Sequence, residues 1–222
     1  MISSKRTYQF TDAELCMLTS NLVKTMMSDQ TEFTARGVTA TMVTEMEALG
    51  NAFEVFPSDA YYFADCQLAM EIKQTRRSSC TLKLKEIVVL AKIKWGVGSP
   101  QVKKFDTSFV LKESDLVFLS KCRLAVKTAT DYLAELSSIG LTSGMIDDLL
   151  DETQLFEEAL YANSTSNEQR ELKTRERITK GNELYELVSS YCEIGKIIWD
   201  DVNDAKYRNY LISERIKRFH HE

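Results

Sequence analysis

Two short basic clusters carry the spacing in this chain that most readily reads as binding chemistry. Lys73 and Arg76 bracket Thr75, and Arg177 and Lys180 bracket Thr179, in the same basic-x-Thr-basic order. Residues three apart share a helix face, so each cluster presents two cations together. A guanidinium can hold a carboxylate or phosphate through two parallel hydrogen bonds. If the clusters lie on equivalent faces, Lys73, Arg76, Arg177 and Lys180 could converge on a small anionic ligand. The same cations could instead pair with acids that also recur at matched positions: Glu32 with Glu135, Glu45 with Asp148, and Glu54 with Glu157. Exposed pairs of that kind contribute roughly 0–1 kcal/mol each and mainly fix register.

Other chemistries lack their residues. The two histidines, His220 and His221, sit beside the terminal Glu222. A ferritin-like metal site needs Glu-x-x-His pairs inside a helical bundle, and nucleophile triads need an internal base. The phosphate-binding Gly-rich loops are missing as well, Gly96-Val97-Gly98 reading as a linker. Asp147-Asp148, Asp151-Glu152 and Glu157-Glu158 lack the alternating oxygens and central Gly of a calcium loop. No metal, cofactor or catalytic residue is expected, and an enzyme is the least supported class.

A formal charge of −5 over 222 residues argues against a general nucleic-acid binder. Arg170, Lys173, Arg177, Arg215, Lys217 and Arg218 form a basic set, but Glu168, Glu171, Glu176 and Glu214 are interspersed as helix partners. The five cysteines form no Cys-x-x-Cys pair and read as small buried hydrophobes in a reducing compartment. Residues 1–8 lack the apolar core of a signal peptide, and Ile87-Val88-Val89-Leu90-Ala91 is closed by Lys92, too short to span a bilayer. A cytoplasmic protein without membrane segments is expected.

The elements that would position these groups read as helices, since 8 Gly and 2 Pro leave few turns for a many-stranded fold. Residues 1–10 read as a frayed start. Thr11 and Glu14 form a capping box for a helix to about Glu32, with Leu15, Leu18, Leu22 and Met26 on one face. Gly37 ends that segment, and Thr39 or Thr41 caps a shorter helix carrying Met42, Val43, Met46, Leu49 and Phe53 as far as Pro57. A long helix follows over 59–95. Its apolar stripe changes side between Leu68 and the set Leu84, Val88 and Trp95, which predicts either different neighbours along its length or a kink at Arg77-Ser78-Ser79.

This plan then recurs. Gly37-Val38-Thr39 through Phe53-Glu54 returns as Gly140-Leu141-Thr142 through Phe156-Glu157, a displacement of 103 (140 − 37). Beyond a polar turn at 163–167 it becomes 104, so that Trp95 matches Trp199 (199 − 95) and Lys73 to Arg76 matches Arg177 to Lys180. The second long helix, like the first, could kink, near Asn182. The expected fold is all-α: one domain over 1–222, an up-down helical bundle of two tandem long-short-long helix repeats with approximate two-fold symmetry. The repeats run over about 11–97 and 112–200, the joint over 96–106, and the C-terminal extension over 201–222. Two separate three-helix bundles are the alternative, less favoured because the joint is short.

The pattern Gly-(Leu/Val)-Thr, short helix, Phe, then a long helix with basic-x-Thr-basic at its middle resembles uncharacterised two-repeat helical-bundle proteins of Bacteroidota. That resemblance implies a fold and no activity. The chain departs from it where Pro57-Ser58-Asp59 and the aromatic triplet Tyr61-Tyr62-Phe63 stand opposite the polar turn of the second half. Three adjacent aromatics cannot all face one core, so Tyr61, Tyr62 and Phe63 mark a candidate interface. Two functional readings follow: a non-enzymatic scaffold or interaction module, homodimeric through this patch or with a protein partner, or a binder of a small anionic ligand at Lys73, Arg76, Arg177 and Lys180.

Overall fold

The computed structural model describes residues 5–106 and 113–220. All regular elements among these residues are helical: α1 (Asp12–Ser28), α2 (Gln30–Thr34), α3 (Ala40–Glu54), α4 (Asp59–Trp95), α5 (Pro100–Lys103), α6 (Asp115–Asp131), α7 (Leu133–Leu136), a 3-10 turn (Ser137–Ile139), α8 (Ser143–Trp199), α9 (Asp204–Arg208) and α10 (Ile212–Phe219). No helix among the described residues is long and apolar enough to cross a membrane.

Local chemistry sets most boundaries. Thr11 Oγ1 accepts from Glu14 N at 3.2 Å while Glu14 Oε2 accepts from Thr11 N at 2.6 Å, the reciprocal capping box. Thr39 and Thr142 cap the next helices, accepting from Met42 N at 3.3 Å and Met145 N at 3.2 Å. Gly37 and Gly140 precede those caps at φ 84° and 104°, backbone that a side chain resists.

The expected first helix to Glu32 is interrupted at Asp29, and its counterpart is interrupted at Tyr132, both at φ −106°. At the expected kink position near Ser78, α4 continues as one helix. Ser78 Oγ donates to Gln74 O at 3.0 Å and Thr81 Oγ1 to Arg77 O at 2.8 Å, so their hydroxyls bond within the helix instead of capping a new one. The expected polar turn at 163–167 is likewise helical inside α8, where Asn167 Nδ2 donates to Asn163 O at 2.7 Å. That stretch contains neither Pro nor Gly, whereas Pro57 separates α3 from α4.

The chain divides into two compact units, one made of Met1–Asp59 with Glu171–Glu222 and the other of Ala60–Arg170. Neither coincides with an expected repeat. In the first unit, Leu15, Leu18, Leu22 and Met26 of α1 and Val43, Met46 and Phe53 of α3 pack with Leu184, Val188, Cys192 and Trp199 of α8. Residues 5–10 are not frayed there. Tyr8 is buried, and Thr7 N donates to Asn182 Oδ1 at 2.9 Å. In the second unit, Phe118, Leu119 and Cys122 of α6 and Ile146, Leu149 and Phe156 of α8 pack with Cys80, Leu84, Ile87, Val88 and Ala91 of α4. Each short-helix core is thus completed by the long helix that sequence order assigns to the other half.

The five cysteines are free. Cys66, Cys80, Cys122 and Cys192 are buried and Cys16 is half-buried, as small core residues would be.

Candidate functional site

The four cations singled out by sequence are split between the units, Lys73 and Arg76 in one and Arg177 and Lys180 in the other. Each lies within 4.0 Å of a carboxylate. Lys73 Nζ lies 2.8 Å from Asp115 Oδ2, and Arg76 Nη1 lies 3.5 Å from Glu152 Oε1. Arg177 Nε donates to Asp12 Oδ2 at 2.7 Å, its Nη1 bonds the Phe56 carbonyl, and its guanidinium stacks over the Phe53 ring 4.7 Å from the centroid. Lys180 Nζ is 4.0 Å from Glu176 Oε1.

Asp12 and Asp115 are each the first residue of a helix, where the axial dipole favours a negative charge. Burial acts to raise the Asp115 pKa, but the hydrogen bond and charge of Lys73, with Arg77 Nη1 at 2.6 Å, outweigh it and hold the carboxyl below its ordinary value. Lys73, Arg177, Asp12 and Asp115 are mostly covered. A ligand at these residues would have to displace protein carboxylates from covered pairs. The cleft of about 540 Å³ beside Arg177 is lined by Asp12 and Glu54 as well as Lys24, so it is not a cationic hole.

Among the described residues no group of three or more His, Cys, Asp or Glu side chains could hold a metal.

Within the aromatic triplet Tyr61 and Phe63 are exposed. Tyr62 is half-buried, its ring 5.4 Å from that of Tyr61 at 87°. Phe63 carries the Arg170 guanidinium 4.8 Å from its centroid. Tyr61, 60% exposed, is also part of an apolar stripe that runs the length of α4.

That stripe comprises Tyr61, Leu68, Ile72, Leu82, Val89 and Ile93, between 50% and 67% exposed. Tyr61, Leu68, Thr75, Leu82 and Val89 are seven apart, and Ile72 and Ile93 fall four after Leu68 and Val89. This is the a/d spacing of a helix-pairing seam over five heptads, interrupted by Asp65, Thr75, Ser79 and Glu86. At about 100° per residue the buried set Cys80, Leu84, Val88 and Ala91 falls on the opposite side. The change of side seen in the sequence therefore has a simple cause: α4 has two apolar faces, one packed in its own unit and one bare. Seven-residue spacing between Tyr61 and Val89 was the signal that could have found it.

No protein-family model, curated protein or solved structure matches the chain.

Proposed function

We propose that this protein is a non-catalytic helical interaction module that self-associates through the bare face of α4, pairing it antiparallel with the α4 of a second copy. The observation that carries this reading is the heptad-spaced stripe from Tyr61 to Ile93, which spans roughly 48 Å at 1.5 Å per residue. A monomer rarely leaves an ordered apolar row of that length in water.

Charge selects the occupant and its direction. The first third of α4 carries Asp59, Asp65 and Glu71, and its last third Lys83, Lys85, Lys92 and Lys94 beside Glu86. A parallel pair would set Lys85 against Lys85 and Lys92 against Lys92 of the second copy. An antiparallel pair sets the acidic third against the basic third and places Ile72 across from Leu82.

Fully burying a Leu or Ile contributes about 1.5–3 kcal/mol. With about half of each side chain already covered, the six residues add roughly 1 kcal/mol each. Both copies together supply about 12 kcal/mol against an association cost of about 4–15 kcal/mol. The balance describes a concentration-dependent dimer, not an obligate one.

Within this reading the chain is a tandem duplication whose long helices are exchanged. The matched pairs Lys73 with Asp115 and Arg177 with Asp12 support it, since each joins a residue of one half to a residue of the other. Light scattering over a concentration series tests the module: the mass rises from 25.4 kDa toward twice that value as concentration increases. A mass that stays at 25.4 kDa throughout refutes it.

A further inference from the structure

The tail helix α10 brings a buried cation to the surface of the first unit. Arg215 is 7% exposed, yet no carboxylate pairs with it among the described residues. Its Nε bonds the Asn209 carbonyl, and its Nη2 donates to Thr25 Oγ1 at 2.7 Å. These neutral acceptors fix the guanidinium in place and leave its charge uncompensated. Covered charges are ordinarily paired.

The surroundings add positive charge instead of cancelling it. Arg215 lines a cleft of about 350 Å³ with Lys24, Thr25, Arg218, Asn21, Asn209 and Phe219, and among the described residues no Asp or Glu lines it. Arg218 is held only loosely, 4.0 Å from Glu214 and 3.5 Å from Asn209 Oδ1. Lys24 is exposed and has no ion pair among the described residues. Burial pushes the Arg215 pKa down, opposed by Cys192 and Tyr210 and reinforced by the charge of Arg218.

We infer that this cleft binds a small phosphomonoester or inorganic phosphate, its oxyanion held by Arg215, Arg218 and Lys24. Arg215 is pre-positioned by Thr25 and Asn209, so its ordering cost is met in the fold. Two guanidinium groups suit the several oxygens of a phosphate. The side-chain amides of Asn21 and Asn209 supply further donors, and Phe219 gives an attached organic body an apolar wall. The volume suits a phosphate with a short carbon skeleton. The site is independent of the bare face of α4, and neither reading depends on the other.

Calorimetric titration of the full chain tests it, with inorganic phosphate and glycerol 3-phosphate as probes and sodium chloride at matched ionic strength as the control. Saturable one-site binding of at least one phosphate probe, with none for chloride, is expected. Hydrogen bonds to charged groups contribute about 1.5–3 kcal/mol. Arg218→Ala and Lys24→Ala, both at exposed positions, should therefore each weaken binding about tenfold or more. Tighter binding of glycerol 3-phosphate identifies a phosphomonoester as the ligand; equal binding identifies the free oxyanion. Absence of saturable binding to both probes, or affinity unchanged in the two variants, overturns the assignment.

Discussion

Arg177 Nε lies 2.7 Å from Asp12 Oδ2 across 165 positions of sequence, with the Phe53 ring beneath the guanidinium. Lys73 and Asp115 make the matched pair at 2.8 Å across 42 positions. In both, a base midway along a long helix meets the first residue of a helix in the other half of the sequence. Each pair joins a long helix to the start of another helix within one unit.

Arg177→Ala should destabilise the first unit by about 1.5–3 kcal/mol, the loss of a charge-assisted hydrogen bond, with Arg6 and Tyr8 remaining as the partners of Asp12 among the described residues. Arg76→Ala, at a 39% exposed cation 3.5 Å from its partner, should cost under about 1 kcal/mol. Urea unfolding measures both. Charge reversal checks the pairing itself: Asp12→Lys is rescued by Arg177→Glu and not by Lys73→Glu. Rescue by Lys73→Glu would mean that the halves are not exchanged.

Gly195→Ala should cost about 1–3 kcal/mol by overpacking. A Cβ there would lie 2.2 Å from Cδ1 of Tyr210, whose ring is fully buried. The matched position in the other unit, Ala91, is already buried with a methyl group. Thermal unfolding should show the loss for Gly195→Ala, and a smaller loss when the same substitution is made on a Tyr210→Leu background, which is itself destabilised because Asp29 loses a hydrogen-bond donor.

Alkaline pH should weaken the first unit. Burial raises the Cys192 thiol to about 12, and burial followed by the hydrogen bond to Asp29 raises the Tyr210 hydroxyl above its ordinary value. A raised pKa means that the folded state holds the proton more tightly. The unfolded chain begins to lose these protons near about pH 8.5 for Cys and 10 for Tyr, so stability is full below those values and falls as pH rises. Urea midpoints from pH 7 to 10.5 should decline above about 8.5, and Cys192→Val, which carries the residue type of Val88, should delay the onset.

Much of the fold was legible because it rests on local chemistry. The stripe Leu15, Leu18, Leu22 and Met26, the left-handed Gly37 and Gly140, and the caps Thr39 and Thr142 are properties of a few neighbouring residues. What escaped is tertiary. A displacement of 104 aligns Arg177 with Lys73 in the sequence, but either of Asp12 and Asp115 offers the same chemistry to either base. Pairing within a half and pairing between halves therefore look identical in sequence. The break at Asp29 was hidden for a related reason: its carboxylate accepts from Trp199 Nε1 at 3.0 Å, Tyr210 Oη at 2.8 Å and Lys206 Nζ at 2.6 Å, all far along the chain. The candidate sites fared similarly. The cations of the basic-x-Thr-basic clusters proved to be paired, whereas Tyr61 belonged to a longer stripe whose significance depends on which face of α4 is buried.

Sedimentation equilibrium of the wild-type chain beside the double variant Leu68→Glu, Leu82→Glu bears most directly on self-association through α4. Both residues are about 60% exposed, so the variant keeps its helical circular dichroism and its melting temperature as a monomer. The wild type is predicted to shift from 25.4 kDa toward twice that mass with rising concentration, while the variant remains at 25.4 kDa. A wild type that is monomeric at every soluble concentration, or a variant that dimerises as the wild type does, would contradict the proposal.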